Sequence, residues 1–86
     1  MDTRVAVISL IVTDKAAVGQ MNALLHEYSG YIIGRMGLPY KEKKVNIICV
    51  AVDAPQDTIS ALSGKLGKLA GISAKTAYSN VITHEA

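Results

Sequence analysis

The 86-residue sequence has no tryptophan, no phenylalanine and one cysteine, and it carries little net charge. Each shortage excludes something. With Cys49 alone no internal disulfide can form, and no cysteine–histidine cluster of zinc spacing is present. Aromatics make up 5% of the chain, all of them Tyr, which is too few for base-stacking strands or for an aromatic cage around a cation. A formal net charge of +2 selects neither nucleic acid nor an anionic membrane as a partner. No low-complexity tract or linker interrupts the chain, so it reads as one small domain.

What is present is apolar. Half of the residues are hydrophobic and 19% are charged, the balance of a folded domain rather than a disordered segment. A chain of this length buries only about 60–65% of its unfolded surface, so a lone core is marginal. Without a disulfide or a structural metal, self-association is the expected source of further burial.

Arg4–Val12 is β-branched and nearly continuous in apolar residues, the pattern of a strand buried on both faces. Val5–Val12 could pass for the apolar part of a signal peptide. Asp2 precedes it, Asp14 and Lys15 follow at once, and the strand reading is preferred. No stretch approaches the roughly 20 apolar residues of a bilayer span. The single thiol fits a reducing, cytoplasmic setting. Thr13-Asp14 supplies capping chemistry for a helix over Ala16–Tyr28, where Val18, Met21, Leu24, Leu25 and Tyr28 recur at helical spacing. Gly30 reads as the residue that ends it.

Tyr31–Leu38 is a second strand, weakened by Gly34 and Gly37, and Pro39–Lys44 a polar turn. Val45–Val52 is a third strand, again apolar on both faces. Asp53-Ala54-Pro55 opens a second helix carrying Ile59, Leu62, Leu66 and Leu69. Ile72–Ser79 is a half-exposed fourth strand. Residues 80–86 show no pattern and read as a C-terminal tail, which leaves 1–79 as the domain.

The order β-α-β-β-α-β is the ferredoxin-like α+β plan: a four-stranded antiparallel sheet, order 4-1-3-2, with two helices on one face. Both faces of the two central strands are apolar, so the uncovered face should also be apolar. A patch of that kind marks an interface, and a homodimer or tetramer is expected in preference to coverage by the tail.

Chemistry is sparse. No nucleophile–base set, phosphate-binding loop or glycine-rich nucleotide fingerprint can be assembled, and no enzymatic activity or cofactor is expected. Cys49 reads as a small buried hydrophobe. His26 sits late in a helix and His84 in the tail, and no metal site is expected. Tyr40, Lys41, Lys43 and Lys44, interrupted by Glu42, read as a solvated hairpin tip. Arg35 stands out, inside a strand between two glycines that leave room beside its guanidinium. Strand alternation puts Tyr31, Ile33 and Gly37 on the face of Arg35, and Ile32, Gly34, Met36 and Leu38 on the core face. Arg35 and Tyr31, completed by Asp14 and Lys15 of a neighbouring subunit, form the candidate site for a small anionic or zwitterionic effector. The plainer alternatives are a surface ion pair for Arg35 and simple capping for Asp14.

The run Tyr31–Tyr40 (YIIGRMGLPY), Asp53-Ala54-Pro55, Ile59–Gly67 (ISALSGKLG) and Gly71-Ile72 to Tyr78-Ser79 resembles the iron-only hydrogenase system regulator family of anaerobic bacteria. The resemblance covers almost the whole chain, with the segment after Ser79 outside it. It implies an ACT-like fold, also similar to the C-terminal domain of the nickel-responsive regulator. It brings no catalytic motif and no established ligand. The nickel ligands of that regulator find no matching histidine on these strands. No DNA-binding segment is present, so any control of transcription implied by the resemblance runs through a protein partner. Two classes of function follow: a small oligomeric regulatory module sensing a small molecule at a subunit interface, or a structural or protein-interaction module with no ligand.

Overall fold

The computed structural model describes residues 2–84. Its elements are β1 (Thr3–Val12), α1 (Val18–Glu27), β2 (Ile32–Tyr40), β3 (Val45–Ala54), α2 (Gln56–Gly67) and β4 (Ile72–Thr83), with 3-10 turns at Lys15–Ala17, Ser29–Tyr31 and Lys41–Lys43. The strands form one antiparallel sheet in the order β2-β3-β1-β4, the expected order read from the other edge.

Strand alternation sorts β1 and β3 cleanly. Ala6, Ile8, Leu10 and Val12 are buried; Val52, Val50 and Ile48, the register partners of the first three, and Ala54, opposite Arg4, belong to the same buried layer. Met21 and Leu25 of α1 and Ile59, Leu62 and Leu66 of α2 close that layer from one side. These helical positions are three or four residues apart, so each helix presents one apolar stripe to the sheet. Each Ile or Leu fully removed from water contributes about 1.5–3 kcal/mol, before the entropy of ordering the chain is set against it.

Three local features differ from the sequence expectation. The first helix does not end on a left-handed Gly30. It passes instead into the Ser29–Tyr31 turn, where Tyr31 N–H donates to the Tyr28 carbonyl (3.0 Å). Strand β2 runs through Pro39 to Tyr40, which an edge strand tolerates because one of its sides has no strand partner. Strand β4 continues to Thr83, pairing Ile82 with Arg4 and Thr83 with Thr3 after an irregularity in register. Asn80–Thr83 therefore extends the sheet edge, where the sequence alone suggested a tail. That extension is held by Arg4, whose guanidinium donates to the Ser79 carbonyl and lies 5.4 Å from the Tyr78 ring centre, and by the Ser79 hydroxyl donating to the Val5 carbonyl.

One glycine is required by geometry. Gly71 has φ +84, and a Cβ there would fall on the Asp14 side chain. Its carbonyl accepts from Thr13 N–H (2.7 Å) and from the Thr13 hydroxyl (3.2 Å). The turn before β4 is thereby locked to the end of β1. Gly71→Ala combines an unfavourable backbone with a clash and should cost about 2–4 kcal/mol in urea denaturation.

A second tie joins the helices at the surface. Lys65 Nζ donates to the Tyr28 hydroxyl (2.8 Å) and sits over its ring. That hydrogen bond, with the charges of Tyr28 and Glu27, raises the Lys65 pKa above its ordinary value. A raised lysine stabilises below its unfolded pKa, and the contribution is lost as pH climbs through the folded one. In Tyr28→Phe, the NMR titration of Lys65 should move back down toward the ordinary lysine value.

Candidate functional site

The face of the sheet opposite the helices is uncovered. Val7 and Ile11 of β1, Ile47 of β3 and Met36 and Leu38 of β2 lie on it, with Met36 69% and Leu38 61% exposed. Val45, Cys49 and Ala51 continue the same surface. Asp53 and Lys75 are the charged side chains at register positions of this face on β1's neighbours, one of each sign. Val81 and Ile82 do not fold over it, because both belong to the extended β4.

Met36 and Leu38 were expected in the core, and the structure corrects this. The register of β2 against β3 shifts between Ile32 and Gly34. An extra residue in one strand reverses every later side chain. Ile32 pairs with buried Val52, but Gly34, Met36 and Leu38 pair with Ala51, Cys49 and Ile47 of the open face. A Cβ on Gly34 would meet nothing within 4 Å, so no helix packs there. Cys49 is half-buried on the open face between Ser9 and Met36 rather than enclosed in the core.

The same shift turns Arg35 toward the helices, opposite Val50. Its guanidinium donates to the Asn22 side-chain oxygen of α1 (3.3 Å). A shallow cleft of about 480 Å³ lies here, lined by Asn22, Leu25, His26, Ser29, Ile32 and Arg35. Tyr31 stands outside it, its ring 6.5 Å from that of Tyr28. Asn22 and His26 were missed by the sequence reading. Their signal was present, since they lie one helical turn apart on α1, but only the fold reveals that this turn faces β2.

Asp14 and Lys15 are elsewhere in the chain. Val12 pairs with Asn46, four residues along β3 from Val50, or roughly 13 Å at about 3.3 Å per residue. Asp14 and Lys15 lie beyond that point. The Asp14 carboxylate accepts from Ala16 N–H (2.9 Å) and caps the 3-10 turn. One chain therefore unites neither pair with the other, and a combined site needs a second copy.

The turn of β1 into α1 instead meets the β2–β3 hairpin. Lys15 joins Tyr40, Lys41 and Lys44 around a cleft of about 580 Å³ whose apolar lining comes from Val12, Pro39 and Val45. Lys44 holds a left-handed backbone, φ 54, a conformation that costs a residue with a Cβ roughly 1 kcal/mol. The nearby Glu42 carboxylate accepts from the Tyr40 hydroxyl (3.1 Å).

His84 sits against Asp2 (2.9 Å) at the exposed opposite end. Among the described residues no group of three His, Cys, Asp or Glu side chains is placed to share a metal ion. No helix among them is long and apolar enough to cross a membrane.

Known proteins place the chain. No curated protein matches it. A solved structure titled "The structure of uncharacterized protein TM1266 from Thermotoga maritima" superposes with a TM-score of 0.85 at 38% identity, over 88% of this chain and 96% of that one. The TM1266-like family model, described as "Iron-only hydrogenase system regulator, putative", matches residues 4–76. With the family pattern spanning β1 to the first half of β4, and the same fold in a relative of 38% identity, the chain belongs to the TM1266-like family.

Proposed function

We propose that this chain is a regulatory module that performs no reaction of its own, assembles with a second copy across its open sheet face, and responds to a small zwitterionic or anionic molecule. The observation that carries the reading is the apolar open face. Val7, Ile11, Met36, Leu38 and Ile47 are all at least 36% exposed on one continuous surface, a patch that an isolated small domain rarely leaves in water. A second copy fits this patch because a two-fold interface must be self-complementary. The face meets that condition with one anion, Asp53, and one cation, Lys75, so two copies carry no net repulsion. A cytoplasmic setting keeps Cys49 on that face as a thiol.

The effector site in this reading is the cleft at Arg35. The guanidinium offers paired donors to a carboxylate, Asn22 and Ser29 offer polar partners to an amine, and Leu25 and Ile32 supply an apolar wall. Because Arg35 faces the helices and not the open face, Tyr31 together with Asp14 and Lys15 of a neighbouring copy would complete the site through a separate contact at the β2 edge. The competing reading is an interaction module with no small ligand, which shares the open face and lacks the effector.

Two measurements test these claims. Sedimentation at micromolar concentration should show wild-type protein heavier than one chain. The pair Leu38→Glu and Ile47→Glu should weaken assembly by about a hundredfold while leaving the fold intact. A wild-type monomer at all concentrations refutes the assembly. A thermal-shift screen of amino acids and carboxylates should find a stabilising ligand whose effect Arg35→Ala removes. No hit, or a hit unaltered in Arg35→Ala, favours the ligand-free module.

A further inference from the structure

From the geometry of the second cleft, we infer an anion-binding site for a small phosphate ester, built by Lys15, Lys41 and Lys44 and separate from the cleft at Arg35. Three observations support it. First, the lysines come from two distant segments, the turn after β1 and the β2–β3 hairpin, and they line one concavity of about 580 Å³. That volume falls within the range of about 300–1,000 Å³ typical of small-molecule pockets. A solvated hairpin tip, the sequence reading, would carry its lysines outward with no opposing wall.

Second, the charge is concentrated here. The two segments hold Lys15, Lys41, Lys43 and Lys44 against the carboxylates Asp14 and Glu42, an excess of two positive charges that equals the net +2 of the whole chain; three of the four lysines line the cleft. The rest of the sequence is balanced. Both carboxylates are already engaged, Asp14 by the Ala16 amide and Glu42 by the Tyr40 hydroxyl. No acidic residue lines the cleft among the described residues.

Third, the lining fixes the class of ligand. Val12, Pro39 and Val45 offer an apolar floor beneath the lysines. Compact ammonium charges suit a phosphate dianion, and the floor suits an apolar group esterified to it. A nucleic acid fits less well, because the central strands β1 and β3 carry no aromatic, and the single Tyr40 at the cleft is no platform along which successive bases could stack.

The site lies within a single chain, so its test is independent of self-assembly. Amide NMR titrations of the full chain would use phenyl phosphate, inorganic phosphate and phenol as probes, on wild type and on the Leu38→Glu/Ile47→Glu pair. Phenyl phosphate should give saturable shifts at Thr13, Lys15, Tyr40, Lys44 and Asn46 in both proteins, and should bind more tightly than either fragment. Lys15→Gln and Lys44→Gln should each weaken it about tenfold, and Lys65→Gln, at the lysine that bonds Tyr28 outside this cleft, should not. Unaltered amide spectra of these variants show that the fold is kept. Shifts centred on Arg35, non-saturable shifts at every lysine, or equal affinity in the Lys15 and Lys44 variants would overturn the assignment, whatever sedimentation shows about assembly.

Discussion

A four-stranded sheet has two faces, and two helices can cover only one of them. In this chain both faces of the central strands are apolar, and the rest of the molecule follows from that mismatch. Ala6, Ile8, Leu10 and Val12 form the closed core with the helices. Val7, Ile11 and Ile47, on the other parity of the same strands, remain in water in a single copy. Burying them is worth more to a small domain than to a large one, since a chain of 86 residues has little core in reserve.

The fold was legible because its signals are repetitive. Helical spacing in Met21 and Leu25, or in Ile59, Leu62 and Leu66, survives any error of a residue at an element's end. Double-faced apolar runs in β1 and β3 identified the central strands and so the sheet order. Strand ends were less legible. Pairing with β1 extends β4 through Asn80–Thr83, and nothing in those residues by themselves announces a strand. Pro39 reads as a turn until it is known to lie on an edge.

The candidate sites were legible in type and poorly legible in place. Arg35 was identifiable from its flanking glycines, but its direction depends on one register shift between Ile32 and Gly34. Alternation counted from Tyr31 cannot detect an inserted residue, so Met36 and Leu38 were assigned to the core when they belong to the open face. Lys15 and Lys44 are 29 positions apart in the sequence, and only antiparallel pairing of Val12 with Asn46 brings their segments together. Membership of the TM1266-like family names a regulatory context without naming residues, so the sites rest on this geometry.

Cys49 offers the most direct view of the central claim, because it lies on the open face between Ser9 and Met36. Its rate of reaction with a thiol reagent can be followed while the protein is diluted through the assembly range. If the open face is buried by a second copy, the thiol is protected in concentrated protein, becomes reactive on dilution, and is reactive at every concentration when Leu38 and Ile47 carry glutamate. A rate that is fast and independent of concentration in wild-type protein, matching the glutamate variant throughout, would show that the open face stays in water.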